Sequence, residues 1–455
     1  MTAARISLPA FAWPSPERRA VVVAVLLAAL IAAAGVVRLE AAGDRAGHAS
    51  ADERAYVRLA SDLRSTGSYG GPTTAHPLHW APGAPVLFVF ADALTGHAAS
   101  PGRIDTHAAR RAQAVVGALT VGAAFALAAM IADVWAGLAA AVAVAFLPPM
   151  ITATEHLTSE PLGAFAVTAA LAAVAWAWNR GRATAFAVAG AALSTACLVR
   201  ADVLLAALVL GPAIGVLHAR RAGRRAGLAA GAATLAGVLV LVAPWSVWAS
   251  IRERAFVPIT DGGASTLFVG TYLPGGGTMF GLKHALARET VRVHPEIRGR
   301  PLFRVREQDV LDAVAARHPR LRRDAAISAE LHRNLRVYLL GHPVAFARMT
   351  AAKVWRTWAF PFRGTFHRAR SSTIWLHRVL VAVALAGLLA ALVRRRAPLL
   401  GIALLAIGIT TAVDVAFVAE ARHAFRLLPA LLAAGAAGWA LLAAGEPRPS
   451  ETPER

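Results

Sequence analysis

Cysteine and lysine are scarce in this chain, and their scarcity excludes several kinds of site. The single cysteine, Cys197, excludes an internal disulfide framework and a cysteine-based zinc site. Lys283 and Lys353 are the only lysines, so arginine supplies the rest of the 47 basic residues. Acidic residues number 26, which leaves a net charge of +21 over 455 residues. Because arginine bias beside abundant alanine is typical of a GC-rich genome, we do not interpret this charge as nucleic-acid binding.

Apolar sequence, in contrast, is abundant. Hydrophobic residues make up 57% of the chain. Apolar runs of about twenty residues recur, and this length crosses about 30 Å of hydrocarbon. The fold predicted from these runs is an all-α polytopic membrane protein with about ten transmembrane helices, in a range of roughly 8 to 12. The runs cover residues 20–37, 109–131, 135–152, 161–178, 183–199, 203–218, 228–249, 374–393, 398–418 and 427–443.

Arginine clusters at the span ends predict how the chain crosses the membrane. They precede the first span at Arg18 and Arg19, and they join later spans at residues 180–182, 220–225 and 394–396. All four clusters fall on one side if the chain starts in the cytoplasm, as the positive-inside rule requires. The N-terminal residues 1–19 and the C-terminal residues 444–455 are then cytoplasmic. The first run is too long for a signal peptide and is read as an anchored span.

This topology predicts two long external loops, at residues 38–108 and 250–373. They separate a transmembrane bundle over residues 20–249 from C-terminal spans over residues 374–443. The apolar run 84–97 is too short to span the membrane and would invert every later span if it did. We therefore predict that it forms a juxtamembrane or re-entrant helix in the first loop.

Near the end of the second loop, the segment 343–362 mixes tryptophan with basic residues. This combination predicts a helix that lies in the headgroup layer. A glycine-rich stretch at residues 275–281 of the same loop does not match a P-loop, because Leu282 separates Gly281 from Lys283.

An acidic pair, Asp52 and Glu53, follows the first span. Tyr56 and Leu59 continue the pattern at helical spacing, which places Asp52 near the start of a short amphipathic helix. An aspartate at that position can cap the helix through its own backbone, or it can face a cavity and carry chemistry. Both interpretations fit the sequence.

Ionisable residues also stand at three later span ends on the predicted external side. Glu155, His156 and Glu160 lie between spans three and four. His156 and Glu160 would share a face if this junction were helical, but two ligands make a weak metal signal, and Glu160 also fits a substrate-facing acid.

Arg200 lies between spans five and six beside Asp202, and Arg422 precedes the last span together with His423 and Arg426. A guanidinium has the fixed fork and permanent charge that suit a phosphate. Interfacial anchoring and an Arg200–Asp202 ion pair are the alternatives for these arginines.

Five short motifs, in this order, resemble those of the C-type polytopic glycosyltransferases, in particular the protein O-mannosyltransferase and aminoarabinose-transferase branch. The motifs are Asp52-Glu53-Arg54-Ala55-Tyr56, Ala81-Pro82-Gly83-Ala84-Pro85, Glu160-Pro161-Leu162 with Leu198-Val199-Arg200, and Arg422 through Pro429. The turn at residues 81–85 lacks the first proline and the tyrosine of the family pattern. Trp80 stands where a lysine is often found in the aminoarabinose branch, which argues against that substrate.

The resemblance implies transfer of a sugar from a polyprenyl-phosphate donor to an acceptor on the extracytoplasmic face of a bacterial plasma membrane. Asp52 would be the general base of an inverting displacement, and Arg200 and Arg422 would stabilise the leaving phosphate. Glu53, Tyr56 and Glu160 would bind substrate. No cofactor is implied with certainty, and a divalent cation is compatible with the family.

Two other classes of function stay open from the sequence. A transporter or lipid-carrier flippase would also be polytopic, but such proteins usually show internal repeats and ionisable residues near the membrane midplane. A non-catalytic membrane scaffold is the other alternative. Neither the sugar nor the acceptor can be named from the residues.

Overall fold

The computed structural model describes residues 16–43, 49–71, 74, 76–95, 102–362, 370–395 and 397–444. Within these ranges the chain forms twenty α-helices and no strand, which confirms the predicted all-α fold. The helices are α1 (Pro16–Gly43), α2 (Ala51–Thr66), α3 (Gly83–Thr95), α4 (Thr106–Ile131), α5 (Val134–Phe146), α6 (Pro148–Thr152), α7 (Glu160–Arg180), α8 (Ala183–Val199), α9 (Leu204–Ala222), α10 (Arg224–Glu253), α11 (Gly263–Thr271), α12 (Met279–Ala285), α13 (Ala287–Val293), α14 (Glu307–Ala315), α15 (Arg323–Asn334), α16 (Pro343–Ala359), α17 (Ser371–Arg395), α18 (Pro398–Ala416), α19 (Ala421–Phe425) and α20 (Leu428–Ala443). Most of the predicted cytoplasmic N-terminus, nearly all of the C-terminal tail and Arg396 lie outside the described residues.

In the described part of the chain, seven helices are long and apolar enough to cross a membrane: α1, α4, α7, α9, α10, α17 and α18. The pair α5 and α6, bent by 61° at its break, makes an eighth if it is counted as one span. Helices α8 and α20 occupy the positions of two further predicted spans but have only 17 and 16 residues. They pack against α10 and α17, inside the same bundle. The described part of the chain is therefore an integral membrane protein with seven or eight candidate spans, and only the higher count reaches the lower end of the predicted range.

The bend between α5 and α6 has a chemical cause in two consecutive prolines. Pro148 and Pro149 have no N–H, so the carbonyls of Val144 and Ala145, four residues earlier, lack their helical partners. The side chain of Arg38, only 1% exposed on α1, donates hydrogen bonds of 2.9 Å to both carbonyls. This arginine therefore satisfies the broken turn inside the bundle, where water could not do so.

The two long loops meet at one end of the bundle. Arg252, at the end of α10, donates hydrogen bonds of 2.8 and 2.5 Å to the carbonyls of Tyr69 and Gly70 in the first loop. The backbone N–H of Asp261 donates to the carbonyl of Leu78 at 2.9 Å. Helix α3 packs on α2 and α4 beside this contact and has 13 residues, too few to span a bilayer.

The second loop has a small apolar core of its own. Phe268, Leu282, Val310 and Ile327 are each at most 1% exposed and pack together. Lys353 of α16 secures this unit to the bundle, because its ammonium donates to the carbonyls of Gly270 and Phe417 at 2.9 Å each. The core and this clamp fix the loop residues that face the cavity described next.

Candidate functional site

A cavity of about 450 Å³ opens at the end of the bundle where the two loops meet. Five separate junctions of the chain line it, and each contributes an ionisable side chain: Asp52, Glu160, Arg200, Glu307 and Arg422. These are the junctions that the predicted topology places on the external side. Helix α7 shows the geometry, since its 21 residues begin at Glu160 in the cavity and end at Arg180, which belongs to one of the basic clusters. The length of that helix, about 30 Å, separates the cavity from the arginine-rich side.

Helix α2 presents Asp52 and Tyr56 to the cavity. Its N-cap is Ser50, whose hydroxyl accepts a hydrogen bond of 3.2 Å from the N–H of Glu53. The carboxylate of Glu53 accepts in return from the N–H of Ser50 at 2.8 Å, which completes a capping box. Asp52 is therefore not the cap, and its side chain is free to face the cavity. Tyr56 follows four residues later on the same face.

An ion pair joins the predicted base to one predicted phosphate partner. Arg422 donates from Nη1 to a carboxylate oxygen of Asp52, and its Nε lies 2.9 Å from a carboxylate oxygen of Glu420. Burial alone would raise the pKa of Asp52, but the charge of Arg422, the hydrogen bond from Arg422 and the charges of His79 and Arg200 together outweigh burial and hold that pKa below its usual value. Asp52 and Arg422 remain about one-third exposed, at 34% and 37%, so a ligand in the cavity can reach both.

Arg200 is held more tightly, between two carboxylates. It donates to Asp202 at 2.7 Å and lies 3.7 Å from Glu160. It also donates to the hydroxyl of Ser159 at 3.1 Å, and the Tyr56 hydroxyl donates to the same oxygen at 3.0 Å. Burial and the nearby charge of Glu160 raise the pKa of Tyr56, so the phenol stays protonated as a hydrogen-bond donor.

A fully buried arginine lies behind Arg200. Arg426, 1% exposed, contacts both carboxylate oxygens of Asp414 at 2.6 and 2.8 Å and one of Asp202 at 3.0 Å. Asp202 thus bridges Arg200 and Arg426. Asp414 was not predicted as a site residue, although a lone acid inside the apolar run of α18 is a sequence signal for a functional residue.

Glu53, which we predicted to bind substrate, lies outside the cavity lining. It is 2% exposed, and besides its capping contact it accepts a hydrogen bond of 3.1 Å from the N–H of Leu157. His156 approaches the same carboxylate at 3.6 Å. These contacts tie the first loop to the junction before α7, so the position of Glu53 is structural.

A metal pair of His156 and Glu160 finds no support in the local geometry. A short 3₁₀ turn ends at Glu155 and α7 begins at Glu160, so the junction is not one continuous helix and the condition for a shared face fails. Among the described residues, no group of three histidine, cysteine, aspartate or glutamate side chains is arranged to hold a metal ion.

Three further ionisable residues of the cavity lining were not predicted from the sequence: His79, Glu307 and Glu420. Each lies in a loop or at a helix start with no local motif around it, so only the folded chain brings it to the cavity. Burial raises the pKa of Glu307, and the negative charge of Asp52 adds to this, whereas His79 opposes it. Glu307 forms no hydrogen bond or ion pair with another described residue.

Solved structures of an oligosaccharyltransferase have the same fold. The oligosaccharyltransferase of Archaeoglobus fulgidus aligns over 90% of this chain and 50% of its own, with 15% identity and a TM-score of 0.53. The chain shares the fold of an oligosaccharyltransferase. A structure of the archaeal oligosaccharyltransferase AglB from the same organism, in complex with an inhibitory peptide and a dolichol-phosphate, aligns over the same shares with 14% identity and a TM-score of 0.52. ArnT from Cupriavidus metallidurans aligns over 92% of this chain and 78% of its own, with 20% identity and a TM-score of 0.40.

The polytopic all-α fold that the motifs imply is thereby confirmed, since it is the fold of these oligosaccharyltransferase structures. The chain spans about half the length of the oligosaccharyltransferase chains that it matches. No protein-family model matches the chain, and no curated protein matches it. At such low identity the alignment supports the architecture, and the chemistry has to be argued from the cavity itself.

Proposed function

We propose that the protein is a membrane glycosyltransferase that moves a sugar from a polyprenyl-phosphate donor to an acceptor hydroxyl at the extracytoplasmic face. The observation that carries the proposal is the meeting of Asp52, Arg200 and Arg422 in one cavity, from segments that lie far apart in the sequence. A base and two guanidinium groups at the mouth of an apolar bundle suit a reaction whose leaving group is a lipid phosphate. The chain shares its fold with an oligosaccharyltransferase whose structure was solved in complex with a dolichol-phosphate, and this supports a lipid phosphate as the leaving group.

In the proposed reaction the acceptor hydroxyl attacks the anomeric carbon of the donor sugar. Its proton passes to the carboxylate of Asp52, a new C–O bond forms, and the bond between the anomeric carbon and the phosphate oxygen breaks. The polyprenyl phosphate leaves with the bonding electron pair. Attack from the face opposite the phosphate inverts the anomeric configuration.

The phosphate needs charge stabilisation rather than a proton, because it is already a good leaving group. Arg422 and Arg200 would supply that charge from two sides of the cavity. Tyr56 and Glu160 line the same cavity as Asp52 and Arg200 and would orient the sugar or the acceptor through hydrogen bonds.

The side of the membrane follows from charge. The basic clusters at residues 180–182 and 220–225 lie at the helix ends remote from the cavity, and the positive-inside rule assigns such clusters to the cytoplasm. The cavity then faces the extracytoplasmic side, in a bacterial plasma membrane. A polyprenyl donor would reach it from the outer leaflet, with its prenyl chain in the bilayer.

A sugar-transfer assay on purified protein tests the proposal and separates it from the flippase alternative. A panel of radiolabelled polyprenyl-phosphate sugars would be incubated with simple glycosides, serine and threonine peptides, and cell-envelope glycans as acceptors. We expect one donor to lose its sugar to an acceptor with release of polyprenyl phosphate. Translocation of intact donor across proteoliposomes without any transfer would contradict the proposal and support a flippase.

A further inference from the structure

Both predicted phosphate arginines already hold carboxylates, so a phosphate must displace something in order to bind. Arg200 lies between Asp202 and Glu160, and Asp202 is itself held by the buried Arg426. Arg422 lies between Asp52 and Glu420. The two sites differ in exposure: the side chains of the Arg200–Asp202 pair are 15% and 19% exposed, and those of the Arg422–Asp52 pair are 37% and 34% exposed. Since exposed ion pairs are much weaker than buried ones, the Asp52–Arg422 pair opens more easily.

The same contact restrains the proposed base. A carboxylate that accepts from a guanidinium has a lone pair occupied and a lowered affinity for protons, and both reduce its ability to accept a proton from an acceptor hydroxyl. Asp52 can act as an effective base only after Arg422 has moved to another anion.

We propose that Arg422 changes partner during turnover, from Asp52 in the empty enzyme to the phosphate of the donor. This inference rests on the proposed function. The phosphate then brings a negative charge near Asp52 while the arginine leaves it, and both changes increase the proton affinity of the carboxylate. Glu420 keeps its contact with Nε and holds the guanidinium at the cavity wall during the exchange. Glu420 is thus a positioning residue, and donor binding makes the base available.

Because the Asp52 carboxylate and the phosphate compete for Arg422, removal of the charge of Asp52 strengthens phosphate binding. The probe is undecaprenyl phosphate, whose affinity is measured for the wild-type protein, Asp52→Asn, Arg422→Gln and the double variant in nanodiscs. We expect Asp52→Asn to bind about three- to tenfold more tightly, because the partly exposed pair no longer has to be broken. In the Arg422→Gln background the same substitution gives no gain, since the competition acts through that arginine.

Glu307→Gln is the matched control. Glu307 lines the same cavity and is also a carboxylate, but it has no ion-pair partner among the described residues. Its neutralisation removes only general repulsion, and we expect a gain below about twofold because the cavity is open to screening solvent. Thermal unfolding of each variant verifies that the folded protein is being compared.

Three results would overturn the exchange: Asp52→Asn binds no more tightly than wild type, its gain persists without Arg422, or Glu307→Gln gives the same gain. A wild-type protein that does not bind undecaprenyl phosphate would instead contradict the proposed donor class. The two failures are therefore distinguishable.

Discussion

Glu53→Gln separates a structural role from a substrate-binding role beside the proposed base. The carboxylate accepts two backbone N–H groups, from Ser50 at 2.8 Å and from Leu157 at 3.1 Å, and it is 2% exposed. Glutamine has one carbonyl oxygen, so its NH₂ group must face one of those two donors. Leaving one buried donor without a partner costs about 1–3 kcal/mol. We therefore expect the free energy of unfolding to fall by about this amount.

The assay is thermal unfolding of the purified variant, together with its affinity for undecaprenyl phosphate per folded molecule. Glu40→Gln is the control, because Glu40 is an exposed carboxylate near the C-terminal end of α1, the helix that precedes α2. We expect Glu40→Gln to unfold with the wild type and Glu53→Gln to unfold earlier, with affinity preserved in both. A Glu53→Gln protein as stable as the wild type but defective in phosphate binding would refute this reasoning and restore Glu53 as a substrate-binding residue.

Three further predictions concern pH, phosphate binding and topology. Because Arg422 lowers the pKa of Asp52 in the empty enzyme, kcat/KM should fall only at strongly acidic pH. The kcat profile reports the donor complex, so its fall on the acid side should lie at higher pH. If both profiles fell at the same pH, Arg422 would stay on Asp52. Arg200→Lys should weaken undecaprenyl phosphate binding about tenfold, since a lysine cannot reproduce the fork that contacts Asp202 and Ser159, and unchanged binding would remove Arg200 from the phosphate site. Cysteines placed at Ser68 and Arg300 in a Cys197→Ala background should both react with an impermeant maleimide from outside whole cells, and labelling at one position alone would disprove the topology.

The sequence predicted features that depend on length and position along the chain. Apolar runs located the bundle helices because crossing hydrocarbon requires about twenty apolar residues. Asp52, Arg200 and Arg422 were identified because ionisable groups at span ends stand out against such runs. The structure places all three in the cavity lining.

Other features depended on contacts between distant segments. Nothing near Glu307 or Glu420 marks them, and they reach the cavity only through the packing of the second loop and the last junction. The run 135–152 predicts one span, and in the structure its two prolines bend it, with Arg38 of α1 bound to the carbonyls at the bend. That arginine could not have been paired with those carbonyls from the sequence.

The position of Glu53 had a local signal in the sequence. Ser50 stands three residues before Glu53, which is the spacing of a capping box. Adjacent helical residues point about 100° apart, which favours Asp52 over Glu53 as the base. The predicted contact of Glu53 with substrate stays a prediction.

The central claim is that this cavity transfers sugar from a polyprenyl phosphate with Asp52 as the base. Its most direct test is the rate of sugar transfer by purified wild-type protein and by Asp52→Asn, with the donor and acceptor that the panel assay identifies. We predict transfer by the wild type and a rate lower by about 10²–10⁴ in the variant, with folding retained and undecaprenyl phosphate bound at least as tightly as by the wild type. A variant that transfers sugar at nearly the wild-type rate would contradict the account.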